Sequence, residues 1–219
     1  MPVANHISNS NKILTAVKKL PYFTFNDLAG LKINKKYLKI YLFRLIKQAK
    51  IIKIKKGIYI AKEYIDSIQK SNYFNDYLEF IAGILYPSSY LSLEYILSNF
   101  NILTELSWNF TLITKNKTKK IKNEFGIFNY RHLRNDLFCG YEIIKAKNFL
   151  IYKATKAKAL FDFLYLRKNL LINKRSVREL RLNLESFSAK EIKEFRKYIQ
   201  KENSTRMKEI SQYIFVSEF

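Results

Sequence analysis

Apolar positions repeat at helical spacing near the start of the chain. Ile13, Leu14, Val17 and Leu20 form a stripe that predicts a helix over residues 10–19, and Pro21 ends it. Thr24, with Asp27 three residues later, predicts a second helix start, a short helix that stops at Gly30. Asn34 is placed to cap a third helix over residues 35–49. Leu38, Leu42, Leu45 and Ala49 share one narrow face of that helix, and it must be the core face. The opposite face collects Lys36, Lys39, Ile40, Phe43, Lys47 and Lys50, with no acid among them. Two β-rich runs then flank Lys55-Lys56-Gly57, which predicts a tight hairpin with Gly57 supplying the permissive backbone of the turn. Three helices and a basic-tipped hairpin make a winged helix-turn-helix over residues 1–65.

The remainder, residues 66–219, alternates between helical and strand patterns. Residues 64–72 read as a connector, and 73–85 and 92–99 as helices. Residues 108–114, 125–133, 138–145 and 149–152 read as strands, and residues 115–122 as a polar, basic turn. Residues 155–166 form a helix that is apolar almost all round, so it should be central. Ser188 and Glu191 make a capping box for a helix with Ile192, Phe195 and Ile199 inward. A last helix is expected over residues 204–215. The expected fold is therefore α+β: a winged helix-turn-helix followed by a mixed domain of helices and an antiparallel sheet.

Charge sharpens the picture. Residues 1–65 hold 14 Lys and Arg against Asp27 and Glu63, a net of +12 out of +22 for the whole chain. Residues 66–150 carry only +2 and residues 151–219 carry +8. Lys, Asn, Ile, Tyr and Phe are all abundant, as in proteins from AT-rich genomes, where codon bias supplies lysine without any partner. Such bias would supply Glu as well, yet residues 1–62 contain none. A polyanionic partner is the simplest reason for charge concentrated in the segment that also carries the pattern of a DNA reader. Lys35, Lys36, Lys39, Ile40, Phe43, Lys47 and Lys50 are the candidate recognition-helix residues. Lys53, Lys55 and Lys56 are the candidate wing. Ile40 and Phe43 either touch thymine methyls in a major groove or pack against another part of the protein.

Catalytic chemistry is sparse. One cysteine, Cys139, rules out an internal disulfide and fits a reducing compartment. Two histidines, His6 and His132, without metal-ligand spacing give no zinc site. No Gly-rich phosphate loop occurs. Asp136, Glu142 and Lys145 faintly suggest a nuclease site, but two residues between Glu142 and Lys145 send them to opposite faces of a strand. No enzyme activity, cofactor or metal is therefore expected. Residues 1–11 have no apolar core, and the apolar region 80–103 is broken by Pro87, Ser88, Ser89 and Glu94, short of the ~20 uninterrupted residues of a membrane span. A cytoplasmic protein with no membrane association is expected. Asp162 sits in a very apolar helix and needs a partner, Arg167 or a backbone N–H. Lys174, Arg175, Arg178 and Arg181 form a second basic cluster, with the arginines recurring every third residue. It is either a solvated helix face or a surface for RNA, DNA or an acidic partner.

Several landmarks occur in a suggestive order. They are Phe25-Asn26-Asp27-Leu28, then a basic helix, then Ile51-x-x-Ile54-x-x-Gly57-x-Tyr59. Tyr90-Leu91-Ser92-Leu93-Glu94 and Ile102-Leu103-Thr104-Glu105 follow, and then the run Ala154-Thr155-Lys156-Ala157-Lys158-Ala159-Leu160-Phe161-Asp162-Phe163-Leu164-Tyr165. Together they resemble the AbiEi family of abortive-infection antitoxins, the regulators of type IV toxin–antitoxin systems. That family's helix motif reads roughly Ala-Thr-Pro-Glu-Lys-Ala-Leu-x-Asp. Lys158, Ala159, Leu160 and Asp162 match it, while Lys156 and Ala157 replace the Pro and Glu. The landmarks are scattered over residues 20–166, and the chain beyond Arg167 matches no motif. The resemblance implies a winged helix that binds duplex DNA at the chain's own promoter and represses its operon. An operator built as an inverted repeat would suit a dimer or two monomers equally. It also implies a C-terminal domain that counteracts a co-encoded nucleotidyltransferase toxin without a stable complex. Lys158, Asp162, Arg175, Arg178 and Arg181 are the candidate residues of that domain. The alternative is a winged-helix regulator whose second domain senses some other partner or ligand.

Overall fold

A computed structural model of the protein describes residues 8–104 and 109–215. His6, Glu105 and Trp108, and residues 1–7 of the segment read as lacking an apolar core, lie outside the described residues. The protein is α+β, and its chain divides into two compact units between Tyr77 and Leu78.

In the first unit, α1 (Asn9–Val17) is capped by Ser8, whose side chain accepts from the Asn11 N–H. Ile13 and Val17 are its buried face. The Thr24 hydroxyl and N–H both donate to Asp27, but the segment they start, Asn26–Leu31, is a 3-10 helix. It is too short for its single buried residue, Leu28, to anchor a longer α-helix. The next helix, α2 (Lys35–Lys47), is capped by Asn34 through the Lys36 N–H at 2.9 Å. Leu38, Leu42 and Leu45 are buried as their spacing predicts. Ala49 is not part of that face. The helix ends before it, and Ala49 is exposed with a left-handed backbone at φ 54°.

Strands β1 (Ile51–Lys55) and β2 (Ile58–Ala61) form an antiparallel hairpin around Lys56-Gly57, and Gly57 has the expected positive φ of 83°. Phe23 exchanges both backbone hydrogen bonds with Tyr59, so a third short segment borders the hairpin. Residues 64–72, expected as a connector, are largely helical instead. In α3 (Lys62–Gln69) the residues Ile65 and Ile68 are buried, so three-residue apolar spacing was enough to fold the segment onto the core.

The second unit holds a six-stranded sheet in the order β5-β6-β4-β3-β8-β7. Its strands are β3 (Ser89–Leu91), β4 (Phe110–Thr114), β5 (Lys119–Asn123), β6 (Gly126–His132), β7 (Tyr141–Ala146) and β8 (Phe149–Ala154). The expected antiparallel sheet is in fact mixed. Pairs β3–β4, β5–β6 and β7–β8 are antiparallel, whereas β4–β6 and β3–β8 are parallel. The cause is β3. It is only three residues long, all buried, and lies between both halves of the sheet, so no alternation marked it. Residues 115–122, expected as a turn, hold most of β5: Ile121 packs inward while its lysine neighbours stay exposed.

Helix α4 (Phe74–Leu85) contributes Ala82, whose carbonyl accepts from the buried Tyr130 hydroxyl at 2.7 Å. Phe80 stacks on Phe149. Helix α5 (Leu93–Asn99) follows β3 directly. Helix α6 (Lys156–Arg167) is buried over nine consecutive residues, Lys156 to Leu164, and packs against α5 and α8 (Ala189–Glu202). The predicted capping box at Ser188 and Glu191 is present, and Ile192, Phe195 and Ile199 are buried. The last described helices are α7 (Lys174–Arg178), between α6 and α8 in the chain, and α9 (Thr205–Ile214).

Candidate nucleic-acid interface

The exposed face of α2 is built by its own core face. Burying Leu38, Leu42 and Leu45 on one side turns Lys36, Lys39, Ile40, Phe43 and Lys47 outward. Lys35, at the first helical position, is exposed too. Ile40 is 40% and Phe43 58% exposed, so neither is a core residue. Lys47 Nζ lies 4.9 Å from the centre of the Phe43 ring, a cation–π contact at the surface. Two residues the spacing argument left out belong here as well. Tyr37 is 59% exposed, and Arg44 lies one turn beyond Ile40 and is exposed. Helical spacing from Ile40 could have found both.

Lys50 does not belong to this face. The helix has ended by Gln48, and Lys50 stands in the turn before β1, where its N–H donates to the Leu45 carbonyl. Its side chain lines an open groove with Lys18, Lys62 and Asp66. In the hairpin, Lys53 and Lys56 are exposed and Lys55 is half-buried.

Electrostatics single out this segment. From Leu28 to Lys62 the chain has eleven Lys and Arg and no acid. The first turn of α2 carries Lys35 and Lys36 where the helix dipole favours acids. Such an arrangement costs stability in the free protein, and an anion at that end would offset it.

The candidate residues of the second unit behave differently. Lys158 and Asp162 are completely buried and form an ion pair one turn apart on α6. Asp162 also accepts from the Tyr90 hydroxyl at 2.9 Å and the Ser92 hydroxyl at 2.8 Å. Arg167, one expected partner, instead pairs with Glu94. Burial pushes the Asp162 carboxyl up, against the pull of Lys158 and the two hydroxyls. The Tyr90 hydroxyl is pushed well up by burial and by the adjacent carboxylate. Lys158 Nζ is surrounded by the rings of Tyr90, Phe161 and Tyr198 at 4.7–5.9 Å. These residues touch no surface, so they hold the unit together and cannot contact a partner.

The arginine cluster is not one helical stripe. Helix α7 ends at Arg178, and Arg181 lies beyond it with a left-handed φ of 48°. Arg175 is engaged by Glu179 at 3.2 Å. Glu142 and Lys145 lie on β7 with uninterrupted pairing and so face opposite sides of the sheet. Among the described residues no group of three or more His, Cys, Asp or Glu is placed to hold a metal ion. No helix among them is long and apolar enough to cross a membrane.

Compared with known proteins, the chain matches no protein-family model, and no curated sequence matches it.

Proposed function

We propose that the first unit is a winged helix-turn-helix that binds duplex DNA, and that the protein is a cytoplasmic repressor of its own operon. Helix α2 enters the major groove with Lys36, Lys39, Ile40 and Phe43, and the β1–β2 hairpin tracks phosphate as the wing. The observation that carries this reading is the outward face of α2, where lysines surround exposed Ile40 and Phe43 in a segment without a single acid. A merely solvated face would mix charge signs, and this one carries no acid. Neutralising about six phosphates gives a log–log salt slope near −5. Changing Lys53 and Lys56 to Ala should weaken binding to all duplexes alike. Changing Ile40 or Phe43 should flatten the preference between sequences. Equal loss from Lys115 and Lys117 changes would contradict the wing assignment.

The second part of the proposal rests on the resemblance to the AbiEi antitoxins. In this reading the second unit counteracts a co-encoded nucleotidyltransferase toxin without a stable complex. The supporting observation is that the motif positions Lys158 and Asp162 form the buried anchor of the central helix. The test is rescue of cells expressing the neighbouring nucleotidyltransferase gene by a full-length Lys36→Ala, Lys39→Ala, Lys56→Ala variant. Rescue with operator binding lost supports this division of labour, and loss of both contradicts it.

A further inference from the structure

One of the two edge strands of the six-stranded sheet is β5, which only β6 flanks. It carries Lys119, Lys120 and Lys122, and Lys115 and Lys117 precede it. Strand β6 adds Arg131. All six cations are exposed, and among the described residues none is ion-paired to a carboxylate. From Lys115 to Arg134 the chain has seven Lys and Arg and one acid, Glu124. This is a second basic surface, separate in the chain from α2 and the hairpin.

Its shape differs from the first. The β5–β6 register sets Ile121 opposite buried Phe128, so Lys120 and Lys122 share the other face with Asn129 and Arg131. Lysines two residues apart on a strand are separated by about 6.6 Å. That matches the step of an extended single backbone, and a flat rim has no helix to enter a major groove. Lys119 belongs to the opposite face with Ile121, where its Nζ lies 5.3 Å from the centre of the half-buried Tyr86 ring. The side of β5 turned away from β6 also presents backbone donors and acceptors that the β5–β6 ladder does not use. A ribose 2′-hydroxyl can bond to them, and a deoxyribose cannot.

We infer that the β5–β6 rim binds single-stranded RNA along its phosphate backbone. Lys117, Lys120, Lys122 and Arg131 take the phosphates, and the outer edge of β5 meets the ribose hydroxyls. This activity is independent of duplex binding by the first unit.

The test is fluorescence anisotropy of the full-length protein on three probes: a labelled mixed-sequence 12-nucleotide RNA, the same sequence as single-stranded DNA, and a duplex. The Lys117→Gln, Lys120→Gln, Lys122→Gln variant should lose at least 10-fold in RNA affinity. Its duplex affinity should stay within twofold, and its salt slope on RNA should fall by about 2. The unmodified protein should bind the RNA at least fivefold tighter than the single-stranded DNA. Arg131→Gln alone should weaken RNA binding severalfold, which guards against a folding defect in the triple variant; an unchanged thermal midpoint checks the same point. Unchanged RNA affinity in both variants would overturn the inference. Equal loss on the duplex would assign the rim to duplex DNA, and equal affinity for the two single strands would remove the case for RNA. Either result overturns it too.

Discussion

Lys158 and Asp162 stand one turn apart on α6, and their ion pair is shut off from water on every side. A pair buried so completely adds little net stability, but breaking it leaves an uncompensated charge. Asp162→Ala should therefore cost about 3–5 kcal/mol. The double change Lys158→Met, Asp162→Leu removes both charges and should recover most of that loss. Urea unfolding monitored by circular dichroism measures both. A single-variant loss no larger than the double-variant loss would contradict the role given to the pair.

Gly140 tests the same region from the loop side. It has φ 73°, and a Cβ there would lie 2.1 Å from the Tyr198 hydroxyl and 3.0 Å from Lys158 Cδ. Gly140→Ala should destabilise by about 1–3 kcal/mol through overpacking, with added backbone strain. The Tyr198 ring must move to admit the methyl group, so Gly140→Ala combined with Tyr198→Leu should lose less than Gly140→Ala alone. Thermal melts of the two variants compare them.

Acid should loosen the second unit. Burial opposes ionisation of Glu191, but hydrogen bonds from Ser188 and the Lys156 ammonium hold its carboxyl below the ordinary 4.5. Burial likewise opposes ionisation of Glu202, while Lys168 and Ser204 hold it below 4.5. Both groups give up protons more readily when folded than when unfolded. Their contribution is complete above that ordinary value and is lost as pH falls through the lower folded values. Stability measured from pH 7 down to pH 3 should decline less in the Glu191→Gln, Glu202→Gln variant than in the unmodified protein. A parallel decline would contradict the assignment.

The two faces of α2 should separate stability from binding. Leu42 is buried, so Leu42→Ala should cost about 2–5 kcal/mol. Phe43 is exposed, so Phe43→Ala should change stability by no more than about 0.5 kcal/mol. On operator DNA the order reverses: Phe43→Ala should weaken binding severalfold at unchanged thermal midpoint.

Local patterns in the sequence translated well. The apolar spacing of Leu38, Leu42 and Leu45, the caps at Asn34 and Ser188, and the turn at Gly57 each depend on a few neighbouring residues, and each appears in the structure. Two features were misread because their cause is distant. The parallel pairings of β3 and β8, and of β4 and β6, join segments far apart in the chain, and three buried residues cannot show a period. Two partners of Asp162, Tyr90 and Ser92, lie some 70 residues away, whereas its ion-pair partner Lys158 stands one turn earlier on the same helix, within reach of helical spacing. At Ala49 and Arg181 the backbone turns left-handed, so a helical period extended from the preceding residues misplaces both. The exposure of Ile40 and Phe43 was open at the level of sequence, because a helix period fixes direction and not what lies beyond it.

The central claim is that the acid-free face of α2 and the adjoining hairpin read duplex DNA. The most direct measurement is fluorescence anisotropy on the duplex upstream of this gene and on a scrambled duplex, across several salt concentrations. The account predicts at least 10-fold preference for the upstream duplex at physiological salt, about 1.4 kcal/mol, lost on changing Lys36, Lys39 and Phe43. Equal, steeply salt-dependent affinity for both duplexes would mean that the charge is generic, and would contradict it.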